Sequence, residues 1–173
     1  MDEAERLIEV FRTRATSFVA SKLDALMDLE RLRDPRIVPF LVGLLTDQTE
    51  PSEVRIHILK QLRNRCFMRR FIPVYRPPVA DAIRQVLSHH SSSELRLHAA
   101  LALAEFTDID GVPATLGDLA LDQDESIDLR YFAFTSLQRA GATPECVALL
   151  RQLSTDETLG RSARGVLSSW HLE

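Results

Sequence analysis

The chain has 173 residues, 45% hydrophobic and 27% charged, with 25 acidic against 21 basic side chains and a formal net charge of −4. That length suits one domain with a real core, and the acidic balance argues against a generic nucleic-acid binder, which is basic overall. Two cysteines 80 residues apart, Cys66 and Cys146, make no C-x-x-C and no disulfide framework, which points to a reduced, cytoplasmic setting. No stretch approaches the roughly 18 apolar residues of a membrane span, and Met1-Asp2-Glu3-Ala4-Glu5 lacks the basic-then-apolar order of a signal peptide.

Aromatics are only 6% and glycines number 6, so Leu, Ala, Arg and Glu, all good helix formers, set the character of the chain. In chain order, Glu3 to Ala20 reads as a helix with Leu7, Val10, Phe11 and Phe18 on one side. Ser21 to Arg33 reads as a second, carrying Leu23, Leu26, Met27 and Leu29. Asp34 then looks like an N-cap with Pro35 at the first helical position. That helix runs through Ile37, Val38, Leu41, Leu44 and Leu45 to a turn at Thr46–Ser52 and the Val54-Arg55 helix.

The next pair is Pro78 to His90 and Glu94 to Phe106, with Ser91-x-x-Glu94 in capping-box form. Gly111 to Leu121 and Ser126 to Arg139 follow, ended by Gly141 as a left-handed C-cap. Thr143-Pro144 opens the last pair, which continues through Leu153 and from Leu159 to Trp170. Pro39 and Pro113 fall so near their helix starts that a mild bend is the expected result.

One phrase recurs along this series. Val54-Arg55-x-x-Ile58-x-x-x-Leu62 returns as Leu95-Arg96-x-x-Ala99-x-x-x-Leu103 and Leu129-Arg130-x-x-Ala133-x-x-x-Leu137, in steps of 41 and 34 residues. Ser21 to Arg33 is a degenerate copy with Lys22 in the arginine place, and in the last pair Gly160 takes that place, with Arg161 one position later. A helical phrase at this period predicts an all-α solenoid in which each hairpin buries its apolar face against the next. Residues one before and three and seven after each arginine share a helical face and are the expected core stripe.

The string Leu32-Arg33-Asp34-Pro35-Arg36-Ile37-Val38-Pro39-Phe40-Leu41, followed by Val54-Arg55, resembles a HEAT repeat of the short bacterial type also found in phycobilin lyase subunits. The resemblance extends over roughly residues 21–170. It implies a right-handed α–α superhelix of four to five helical hairpins in one domain. The repeats would be 3–33, 34–63, 77–106, 110–140 and 143–170, with an insertion at 64–76. Ser91, Ser92 and Ser93 stand where family members often carry an aspartate.

The recurring Arg55, Arg96 and Arg130 are expected to form a structural ladder on turn carboxylates such as Asp47 and Asp122, a pairing suited to the guanidinium fork. The alternative is an anion-binding row. Asp122 to Asp128 places oxygens at positions 1, 3, 5 and 7 of a calcium loop, but Ile127 replaces the glycine and Ala133 the final glutamate. Helix capping explains the strip better, and no metal or cofactor is expected. His57 and His98 share one slot in adjacent repeats, but a metal needs further ligands that nothing supplies. His89-His90 fits favourable charge at a helix C-terminus. Cys66, among Arg63, Arg65, Arg69 and Arg70, is either a reactive thiol or a semi-buried structural one. No nucleophile elbow, P-loop, dinucleotide fingerprint or zinc-protease motif is present.

The stretch 63–78 breaks the repeat. It holds Arg63, Arg65, Arg69, Arg70 and Arg76 without an acid, and Phe67, Phe71 and Tyr75 recur every fourth residue. Its aromatics either extend the core, or its arginines bind an anionic partner: an acidic protein segment, a phosphate or a bilayer face. The expected function is a non-catalytic interaction scaffold or adaptor, monomeric, holding another protein or another domain of a parent chain through this stretch and an inner helix row of His57, Lys60, Gln61, His98 and Phe132. Peripheral membrane contact is compatible with it; nucleic acid is a minor option. The resemblance also leaves open an accessory subunit that handles a chromophore as lyase subunits do, and a structural spacer is the third reading.

Overall fold

The computed structural model describes residues 2–13, 19–32, 34–64, 73–89 and 91–172. Among these residues all regular structure is helical: ten α-helices and two short 3₁₀ turns. By its contacts the chain divides into two units, Met1–Ala102 and Leu103–Glu173.

The first unit holds α1 (Glu3–Thr13), α2 (Val19–Arg31), α3 (Ile37–Thr46), α4 (Ser52–Arg63), a 3₁₀ turn at Pro73–Tyr75, α5 (Arg76–Ser88) and α6 (Ser93–Leu103), whose last residue passes into the second unit. Helix α1 packs on α2 and α3 on α4, while α2 also lies against α4 and α3 against α5. The second unit holds a 3₁₀ turn at Ala104–Phe106, α7 (Val112–Leu121), α8 (Ile127–Ala140), α9 (Pro144–Leu153) and α10 (Gly160–Ser169). Here α7 pairs with α8 and α9 with α10, and α9 lies against both α7 and α8.

The core stripe is where the repeated phrase puts it. Val54, Ile58 and Leu62, then Leu95, Ala99 and Leu103, then Leu129, Ala133 and Leu137 are all at most 4% exposed. Burying a Leu or Ile side chain is worth about 1.5–3 kcal/mol, so the leucines and the isoleucine of this stripe are strong anchors of α4, α6 and α8. Caps define the ends. Ser126 Oγ accepts from Leu129 N (3.3 Å) and Thr143 Oγ1 from Cys146 N (3.2 Å), which starts α8 and α9 as expected. Gly141 ends α8 at φ 95° and ψ −178°, a positive φ as expected but with an extended ψ rather than a left-handed helical one.

Three boundaries differ from the sequence reading. Val19 and Ala20, assigned from the sequence to the first helix, belong to α2. Helix α3 begins at Ile37 rather than Pro35, because Asp34 closes a turn first: its Oδ1 accepts from Arg36 N (3.0 Å) and its carbonyl from Ile37 N (3.1 Å). Pro39 thus sits in the first turn of α3 and Pro113 in that of α7, where their missing N–H costs nothing. The cap of α6 is Ser92, whose Oγ accepts from Leu95 N (3.2 Å), while Ser91 Oγ donates to the Val86 carbonyl instead.

Candidate functional site: the arginine corners

Each repeated arginine ties the corner of its own hairpin. Arg55 Nε donates to the Leu45 carbonyl (2.8 Å), Arg96 Nη1 to Leu87 (2.5 Å) and Arg130 Nε to Ala120 (2.9 Å). Leu45, Leu87 and Ala120 are the next-to-last residues of α3, α5 and α7. The last carbonyls of a helix have no partner within it, so the side chain satisfies an acceptor the fold would otherwise leave to water. Arg164 makes the same tie to the Ser154 carbonyl, just past the end of α9. Sequence alignment misses Arg164 because it lies one turn beyond the arginine place. The reason is Gly160: a Cβ there would come 2.7 Å from the Ser154 oxygen, so the helix backbone itself approaches the corner and the arginine reaches it from further along.

These partners correct the expected ladder on Asp47 and Asp122. Both carboxylates are used inside their own turns. Asp47 Oδ1 accepts from Thr49 N (2.9 Å) and Thr49 Oγ1 (2.7 Å), and Asp122 Oδ1 from Asp124 N (2.9 Å). The bonds from Thr49, aided by the charges of Lys22 and Arg55, hold the Asp47 carboxyl below its ordinary pKa. Burial holds Arg55 below its own ordinary value, and the Asp47 charge offsets part of that. The acid strip at 122–128 resolves into that Asp122 turn and the Ser126 cap, both purely local.

The carboxylate rungs that do form run to the following hairpin. Arg130 Nη2 meets Asp156 Oδ2 at 2.5 Å, with side chains 5% and 3% exposed. Asp156 also accepts from Gln123 Nε2 (2.6 Å), Leu159 N (2.8 Å) and Thr158 N (2.9 Å). Burial alone would raise its pKa, but these hydrogen bonds together hold the carboxyl down at about 2. Lys22 Nζ meets Glu50 Oε2 at 2.8 Å in the same manner and lies over the Phe11 ring.

Around Arg55 the arrangement differs. A cavity of about 220 Å³ opens there, lined mainly by Gln48, Ser52, Arg55, His89, Ser91 and Ser92. None of the described residues lining it carries a carboxylate.

The remaining candidates are placed as follows. His57 Nε2 is 2.8 Å from Glu30 Oε1, binding α4 to α2 and leaving the ring 20% exposed. His98 is half-buried on α6; burial and the charges of Lys60 and Arg63 hold it toward the neutral form against the pull of Glu94. The structure thus brings Lys60, Arg63 and His98 into one neighbourhood on α4 and α6. Gln61 and Phe132 are half-buried, and His89 is exposed just past α5. Arg76 begins α5 and is half-buried, inside a helix rather than in the expected insertion. Arg65, Arg69, Arg70, Cys66, Phe67 and Phe71 lie outside the described residues, as do Phe18 and His90. Cys146 is buried in α9. Two large apolar side chains one turn apart on α8, Ile127 and Tyr131, are 49% and 53% exposed, and Leu97 on α6 is 39% exposed.

Comparison with protein-family models and with curated proteins finds no match to this chain. Among the described residues no helix is long and apolar enough to cross a membrane.

Proposed function

We propose that the chain is a HEAT-like α-solenoid, a right-handed superhelix of helical hairpins, serving in the cytoplasm as a non-catalytic scaffold that holds another protein. The packing of α2 on α4 and of α3 on α5 within the first unit, together with the shared arginine corners, supports that architecture. The observation that carries the binding role is the outward strip of Ile127 and Tyr131 on α8. Aromatic side chains left half-exposed on a rigid helix are the usual anchors of protein interfaces, and a tyrosine brings large contact area at low entropic cost. Lys60 and Arg63, beside a His98 held toward its neutral form, add positive charge on the first unit that favours an acidic partner.

The test is affinity capture from the source cell with the wild-type chain and with an Ile127→Ser, Tyr131→Asp double variant, circular dichroism confirming the fold of both. A specific protein retained by the wild type and lost by the variant is the expected result. The same protein retained equally by both removes this strip from the interface. Replacing Lys60 and Arg63 by Glu is expected to weaken capture of an acidic partner at low salt more than at high salt.

A further inference from the structure

Gln48 and Arg55 stand in the same relation as Gln123 and Arg130: an Asp-Gln turn, with the glutamine seven residues before the arginine. In the second unit this pair closes on a carboxylate, Gln123 Nε2 at 2.6 Å and Arg130 Nη2 at 2.5 Å from Asp156 Oδ2. Asp156 lies three residues before Leu159, whose amide it caps at 2.8 Å. In the first unit the equivalent residue is Ser92, three before Leu95, whose amide it caps at 3.2 Å. Serine keeps the cap but supplies no charge and reaches less far.

What remains is the cavity of about 220 Å³. Arg55 is only 6% exposed, and its Nε is engaged by Leu45. Among the described residues nothing accepts from its Nη1 and Nη2, and no side-chain nitrogen there is both buried and without a partner. The open side of the fork therefore gives onto the cavity it lines. The nearby acids are already engaged, Asp47 by Thr49 and Glu50 by Lys22. Ser52 is the first residue of α4 and Ser92 caps α6, and both line the cavity, so two helix N-termini add partial positive charge to it.

We propose that this cavity is an oxyanion site, in which Gln48 and Arg55 clamp a carboxylate or phosphate group supplied from outside the chain, in the way Gln123 and Arg130 clamp Asp156. Ser52 and Ser92 hydroxyls donate to the same group, and His89 stands at the mouth. The inference is independent of the scaffold reading, since it concerns one anionic group and not a protein surface.

The full chain tests it. Sodium phosphate and sodium acetate are titrated separately against sodium chloride at matched ionic strength, following the ¹H–¹⁵N signals of the Gln48 amide and Arg55 Nε–H. Saturable shifts with either oxyanion are expected; saturation by phosphate alone assigns a phosphoryl ligand, and saturation by acetate assigns a carboxylate. Gln48→Ala, at an exposed position that leaves the fold intact, should weaken binding at least about tenfold, the loss of one charge-assisted hydrogen bond. Ser92→Asp should abolish it, because the chain then carries its own carboxylate in the clamp. Shifts that stay linear with both anions, or undiminished binding in either variant, overturn the proposal.

Discussion

Arg55 and Arg130 occupy the same slot of the same phrase, both buried and both fastened to the penultimate carbonyl of the preceding helix. They differ in what stands opposite. Arg130 faces a carboxylate that collects four donors, whereas Arg55 faces serine hydroxyls across a cavity. The contrast separates two roles that one side chain plays. The carbonyl tie shapes a hairpin and is common to both places. The carboxylate rung joins a hairpin to its neighbour and depends on one residue of the neighbour's cap.

The largest expected effect breaks the closed rung. Asp156→Ala strands the Arg130 charge in a buried site and removes the acceptor of the Thr158 and Leu159 amides in the turn before α10, and should cost about 3–5 kcal/mol in urea unfolding. A loss below about 1 kcal/mol would mean that the rung contributes little. Arg55→Met removes an arginine that has no such carboxylate partner, so only the carbonyl tie is lost and about 1–2 kcal/mol is expected; a loss equal to that of Asp156→Ala would erase the contrast.

Acid should act on the closed rung in the same sense. The folded pKa of Asp156 is about 2, below the ordinary aspartate value of 3.8. A depressed folded pKa stabilises above the unfolded pKa, so this contribution, about 1–2 kcal/mol, is complete above pH 4 and is lost as the pH falls from 4 to 2. Asp156→Asn should flatten that part of the stability–pH curve, and an unchanged slope would show that the carboxylate is not held by its donors. The smallest change sharpens the comparison from the other side. Ser92→Asp converts the open place into a closed one and should raise stability by about 1 kcal/mol, seen as a higher urea midpoint with an unchanged slope.

The stripe around each arginine was legible because burial on a helix leaves a periodic trace, and Val54, Ile58 and Leu62 carry it openly. The helix starts at Ser126 and at Thr143-Pro144 were legible because their chemistry is local. The arginine partners were not. A backbone carbonyl has no sequence signature, so the tie to Leu45 or Ala120 leaves no mark beside the arginine itself. Turn acids were the visible candidates, yet Asp47 and Asp122 were drawn into their own turns by neighbours two residues away. The true rung partner, Asp156, lies 26 residues beyond Arg130, in a repeat whose arginine place is a glycine. One trace of it does lie in the sequence: the Asp-Gln pairs at 47–48 and 122–123, each with its glutamine seven residues before an arginine. Arg65, Arg69 and Arg70 lie outside the described residues, so the basic stretch is tested by function: replacing all three with Glu should abolish partner capture in a pulldown without unfolding the chain.

The tie from each arginine to the carbonyl behind it has a bearing on how such a chain tolerates change. A peptide oxygen is present whatever residue the position carries, so the bend between paired helices survives substitution at Leu45, Leu87 or Ala120 so long as the replacement stays apolar. Only the far side of the guanidinium is exposed to mutational drift. There a single codon in the adjoining copy decides whether two hairpins are bolted together or a receptor for a visiting anion is left between them.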